Sequence, residues 1–193
     1  MPDWDLSILH LKKLAEEIDS TEASVYRYFE NKHRLLQYLI AWYWIWLDYR
    51  IDRATSSLPN THEKLKMALH VIAEEKKYDP MFQFVNEEAL YRIVVAELDK
   101  TYLTKWVDDD NDAGLFDGFK TLCHKLGGFI KELNPNYQYP HSLSCTILLA
   151  ANQQFFFIQH VPTLSDISKK NATQIHDKLE EFLNSLVFNV IGR

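Results

Sequence analysis

Two pairs of side chains in this 193-residue chain have a spacing that could hold a metal ion or perform acid–base chemistry. His70 and Glu74 lie four residues apart, as do His176 and Glu180, so on a helix each pair shares one face. A catalytic metal needs three or more protein ligands, and the sequence identifies no third partner for either pair. A di-iron bundle requires Glu-x-x-His on two helices; the chain has a single such string, Glu30-Asn-Lys-His33. It contains no Gly-rich phosphate loop, nucleophile elbow or metalloprotease helix. Its two cysteines, Cys123 and Cys145, have no CxxC spacing and read as reduced, buried thiols. These residues predict a non-enzymatic protein with no cofactor, no metal and no catalytic residue, its His/Glu pairs solvated on helix faces.

The elements that would position such side chains are helices. Hydrophobic residues make up 47% of the chain and charged residues 25%, enough for a sizeable core. Only 5 Gly and 6 Pro are present, few for a turn-rich β-sandwich. Ile8, Leu11, Leu14, Ala15 and Ile18 predict a helix over 7–18. Thr21 is a cap-type residue that would start a helix of about two turns holding Val25, Tyr26 and Phe29. Asn31 would cap the next, running to about Arg53. Residues 56–60 read as a loop, with Asn60 capping a helix that has Glu63 at its third position. Further helices are expected over 87–107, 113–133, 141–160 and 167–190. The acidic run 108–112 and Pro162-Thr163 should break the chain between them. The longest apolar run, Leu35 to Leu47, carries Gln37 and falls short of the roughly 20 residues a bilayer needs. The class is all-α, and the expected setting is cytoplasmic, with no membrane contact.

Within this string, Leu14-Ala-Glu-Glu-Ile-Asp-Ser-Thr-Glu-Ala-Ser-Val-Tyr-Arg-Tyr-Phe-Glu-Asn-Lys32 resembles the helix-turn-helix signature of TetR-type transcriptional regulators. Leu14 and Ala15 match its opening, Thr21, Ser24 and Val25 the capped start of the recognition helix, and Tyr26, Tyr28, Phe29, Lys32 and Leu35 the rest. The resemblance implies a DNA-binding head over 1–36 and a helical ligand-binding and dimerisation domain over 37–193. It also implies a double-stranded DNA operator as partner, bound by a ligand-responsive repressor. Phosphate contacts would come from Thr21, Ser24, Tyr26, Tyr28 and Lys32, which would position the head without specifying bases. Glu22, Ala23 and Ser24 would form the turn offered to the major groove, where small side chains allow close approach. Arg27 is a further candidate for backbone or base contact, whereas Val25 and Phe29 should face inward.

The chain departs from that signature in three places. Asp19 replaces the turn glycine, Ser20 replaces a small apolar residue, and only six residues precede Ser7 where the family has a further helix. The head is therefore expected to lack its first helix. The formal net charge is −6, and residues 1–50 carry six Lys/Arg against eight Asp/Glu, so DNA binding would use a small local surface. The alternative reading is a helical dimeric sensor or interaction protein of TetR-like ancestry that no longer binds DNA.

In the body, Trp42, Trp44 and Trp46 cannot share one helical face, so their helix must make contacts on more than one side. An apolar or aromatic small-molecule effector is expected, with Tyr91, Phe116, Phe119, His124, Gln154 and Phe155 as candidate pocket residues. The last two helices are broadly apolar. The resemblance implies that Leu143, Ile147, Ala150, Ala151, Ile158, Leu179, Phe182, Leu183 and Leu186 form a homodimer interface.

Overall fold

A computed structural model describes residues 21–77, 86–168 and 174–192; for Glu22 it describes the backbone alone. The predicted helix over 7–18 lies outside the described residues. Among the described residues the regular elements are all helical: α1 (Glu22–Tyr28), α2 (Lys32–Thr55), α3 (Thr61–Ala73), α4 (Glu87–Glu97), α5 (Asp99–Tyr102), α6 (Val107–Asp112), α7 (Asp117–Leu133), α8 (Pro140–His160) and α9 (Ile175–Val190). A 3-10 turn at Pro162–Leu164 follows α8. No helix among the described residues is long and apolar enough to cross a membrane.

Side-chain caps set the helix starts. Thr21, Asn31, Asn60 and Asn86 each accept a hydrogen bond from the backbone N–H three residues on. Each such cap stabilises its helix by about 1 kcal/mol. The first three are the caps that the sequence predicts.

Two boundaries differ from expectation. The helix expected over 87–107 stops at Tyr102, where Leu103 turns outward, 84% exposed. The acidic run 108–112, expected as a break, is instead the body of α6. Asp108, Asp109 and Asp110 occupy its first turn, where the helix dipole favours negative charge. The break comes at Gly114 (φ 77), whose N–H donates to Asn111 while Leu115 N–H reaches back to Asp110, a glycine-ended helix stop. Consequently α7 begins at Asp117. The helix expected over 167–190 is described from Ile175, since 169–173 lie outside the described residues.

α3 is the central rod of the body, packing against α2, α7 and α9. The main core runs from Ile40 in α2 through Leu65, Leu69, Leu126 and Ile147 to Leu183, all buried. α7 comes close to α2 at Gly118, where an added methyl would sit 3.0 Å from Ile45 Cγ1. A second, small cluster holds Val25 and Leu35 with Phe29 and Leu39 against it. Leu39 touches both clusters and joins α1 to the body.

Candidate nucleic-acid interface

α1 is too short to be stable alone, and tertiary packing of one face holds it in place. Val25 is buried and Phe29 half-buried against Leu35 and Leu39, with the Phe29 ring 5.4 Å from Tyr38. That choice of inward face leaves Ala23, Tyr26, Arg27 and Tyr28 turned outward. Thr21 and Ala23 are exposed and Ser24 is half-buried. Tyr26 is 49% exposed and Tyr28 73%. The Arg27 guanidinium lies over the Tyr28 ring, 5.3 Å from its centroid. Lys32 is the first residue of α2 and is half-buried. The sequence-predicted contact residues Thr21, Ala23, Ser24, Tyr26, Arg27, Tyr28 and Lys32 thus lie on α1, its cap and the start of α2, off the inward Val25 and Phe29 positions; Glu22 is the first residue of α1.

Immediately behind this surface is a contact that the sequence reading missed. Asp110 of α6 is fully buried, and its carboxylate accepts from the Arg34 guanidinium and the Gln37 side-chain amide. His33 Nε2 lies 3.4 Å from the same carboxylate, and the His33 ring is 6.2 Å from Trp106. Burial alone would raise the Asp110 pKa, but the hydrogen bonds from Gln37, His33 and Arg34 hold it below the ordinary carboxylate range. The first two turns of α2 are therefore bound to α6 by one ionised carboxylate. The available signal was Gln37, a polar residue inside the apolar run from Leu35.

The candidate effector residues are not brought into one site. Tyr91 is buried, stacked on Tyr43 at 5.7 Å and tilted against Phe155 at 5.2 Å. Phe116 and Phe119 surround Tyr102 instead, with ring centroids 5.0 and 5.8 Å away. His124 is exposed, its ring edge-on to His141, and Gln154 is half-buried. A groove of about 430 Å³ is lined by other residues, among them Asp52, Thr55, Lys125 and Phe129. Trp44 and Trp46 are buried and Trp42 is half-buried; the Trp44 ring lies 4.7 Å from Phe119 of α7 and the Trp46 ring 5.8 Å from Tyr43.

The expected dimer face needs correction. Leu143, Ile147, Ala151, Ile158, Leu179 and Leu183 are buried within this one chain and cannot meet a partner copy. The apolar pattern on these helices is wider than one interface because its inner side builds the monomer core. Ala150 and Leu186 are half-buried and Phe182 is 39% exposed, so these three, with Val190 at 47%, remain on the outer side of α8 and α9. Comparison with protein families, with curated proteins and with solved structures finds no match to this chain.

Proposed function

We propose that this chain is a helix-turn-helix DNA-binding regulator that acts as a homodimer and responds to an apolar or aromatic effector through its helical body. The observation that carries the reading is the orientation of α1. Its N-cap and outer face present Thr21, Ser24, Tyr26, Arg27 and Tyr28 together, while Val25 and Phe29 are turned into the packing. Hydroxyls, a guanidinium and helix-terminal N–H groups are phosphate donors, and a lysine opens the next helix. Selection of bound fragments from a library of the source genome tests the reading. It predicts recovery of a few sites with twofold symmetry; recovery in proportion to fragment abundance would contradict it.

One observation favours the alternative, a sensor that does not bind DNA. Arg34 and His33, two of the basic side chains beside α1, face the Asp110 carboxylate rather than solvent anions. The same selection separates the readings, because the alternative recovers no site.

A further inference from the structure

Three contacts set α3 and α9 antiparallel in a fixed register. The His62 ring lies 4.9 Å from Phe188, His70 Nδ1 donates to Glu180 Oε2 at 2.7 Å, and His176 Nδ1 donates to the Ala73 carbonyl oxygen at 2.8 Å. His62, Lys66 and His70 follow one another by a turn along one edge of α3, as Glu180, Asn184 and Phe188 do along one edge of α9. His62 meets Phe188 and His70 meets Glu180, so the register places Lys66 opposite Asn184 between them. A groove of about 400 Å³ opens here, lined by His62, Lys66, Glu180, Asn184 and Phe188.

The middle of this groove holds polar groups that the protein does not answer. Lys66 is exposed, and among the described residues no carboxylate pairs with it. Asn184 Nδ2 donates to the Glu180 carbonyl oxygen at 2.9 Å, whereas Asn184 Oδ1 is buried and receives no donor among the described residues. Buried polar atoms are nearly always paired, so an orphan acceptor on a groove residue points to a donor from outside the chain. Glu180 gives one carboxylate oxygen to His70 and keeps the other. Along the groove the chemistry thus runs from carboxylate and amide oxygen, through an ammonium, to two aromatic rings.

We propose that this groove binds a free α-amino acid with an aromatic side chain. The ligand carboxylate meets the Lys66 ammonium, the ligand ammonium donates to Asn184 Oδ1 and Glu180, and the ring lies against Phe188 and His62. Small-molecule sites combine apolar and aromatic walls with a few polar groups that fix orientation, in volumes of about 300–1,000 Å³. A ligand with a single charge leaves either Lys66 or Glu180 unanswered, and one without a ring leaves Phe188 uncovered. The proposal names the class of the effector and rests on the proposed effector response, not on DNA binding. The bound amino acid ties α9 to α3, the central rod of the body.

The test is calorimetric titration of the full chain, without DNA, with L-phenylalanine, L-tyrosine and L-tryptophan in turn. The expected result is one equivalent bound for at least one of them. For L-phenylalanine the analogues are hydrocinnamate, which lacks the ammonium, phenethylamine, which lacks the carboxylate, and L-alanine, which lacks the ring. Each analogue should bind at least about tenfold more weakly than the amino acid, the worth of one charge-assisted hydrogen bond or of the ring contact. Lys66→Gln and Phe188→Ala should each weaken the amino acid about tenfold. Thermal melts verify that each variant is folded; if Phe188→Ala is not, the exposed Lys66→Gln and the analogues still decide the matter. Lys64→Gln, which alters a lysine of a different groove, should bind as the parent does. Absence of binding of all three amino acids to the parent overturns the proposal. So does binding unchanged by Lys66→Gln, or analogues that bind as tightly as the amino acid. Selection of genome fragments reads DNA binding alone, so failure there and failure here are distinguished.

Discussion

The side-chain amide of Gln37 donates to the carboxylate of Asp110, and both groups are buried. Gln37 lies in the second turn of α2 and Asp110 in α6, so this bond and its Arg34 neighbour fix the helix behind the candidate DNA surface to the body. Removing the carboxylate leaves a buried amide without its acceptor, which costs about 1–3 kcal/mol. Asp110→Ala should therefore lower stability in urea unfolding by about 2 kcal/mol. Gln37→Leu should cost less when combined with Asp110→Ala than alone, because the two substitutions remove the same interaction. Additive losses would contradict the pairing.

The same carboxylate carries a pH signature. Its pKa in the folded chain lies below the ordinary value, because three donors outweigh the effect of burial. The stabilisation is therefore complete above the unfolded carboxyl pKa of about 3.9 and is lost as pH falls through the folded value. Between pH 7 and acid, the parent should lose more stability than Asp110→Asn, and the two curves should converge at the acid end. Parallel curves would show that Asp110 does not titrate as described.

At the C-terminal end of α3, Lys76 Nζ donates to the carbonyl oxygens of Val71, Ile72 and Glu74, at 2.7, 3.0 and 2.9 Å. Burial pushes its pKa down to about 7, with Glu74 opposing and Arg50 assisting the fall. From about pH 7 to about pH 10, the unfolded chain then holds a proton that the folded chain lacks, so stability rises with pH through this window. Lys76→Met removes that rise, which thermal melts at pH 7 and pH 9.5 would detect. An equal rise in the variant would contradict the assignment.

Thiol chemistry offers a further check. Burial raises Cys123 to about 12, and the half-buried Cys145 is also raised by burial. Thiolate is the reactive form, so both should react slowly with an aromatic disulfide reagent in the native chain, Cys123 more slowly than Cys145. In denaturant both should react at once. Rapid native labelling of Cys123 would contradict its burial.

What was legible in the sequence was mostly local. Thr21, Asn31 and Asn60 are caps because a short oxygen side chain meets a backbone N–H three residues on, and sequence distance is enough to see that. The inward placement of Val25 and Phe29 follows from helical spacing. The fate of the acidic run was misread because its charge suggested a loop, whereas three aspartates at a helix N-terminus with Gly114 beyond its end define a helix. The Asp110 contact was not readable, since its partners lie more than 70 residues away. Nor does periodicity distinguish Leu183, which is fully buried, from Phe182, which is 39% exposed. Both suit a dimer face, and the monomer core had already claimed one.

That division makes the dimer testable. Phe182→Glu, on the outer side of α9, should shift a homodimer to monomer in sedimentation equilibrium while leaving helix content unchanged. A parent that is already monomeric at high concentration would contradict the homodimer.

DNA-binding titration tests the role of α1 most directly. The full chain is titrated by fluorescence anisotropy against the promoter region beside its own gene and against a shuffled duplex, at low and moderate salt. Binding to the promoter should be tighter and should weaken as salt rises. Tyr28→Ala should lose about fivefold to tenfold in affinity, the worth of about one phosphate hydrogen bond. Equal affinity for both duplexes, or promoter binding unchanged by Tyr28→Ala, would contradict that role.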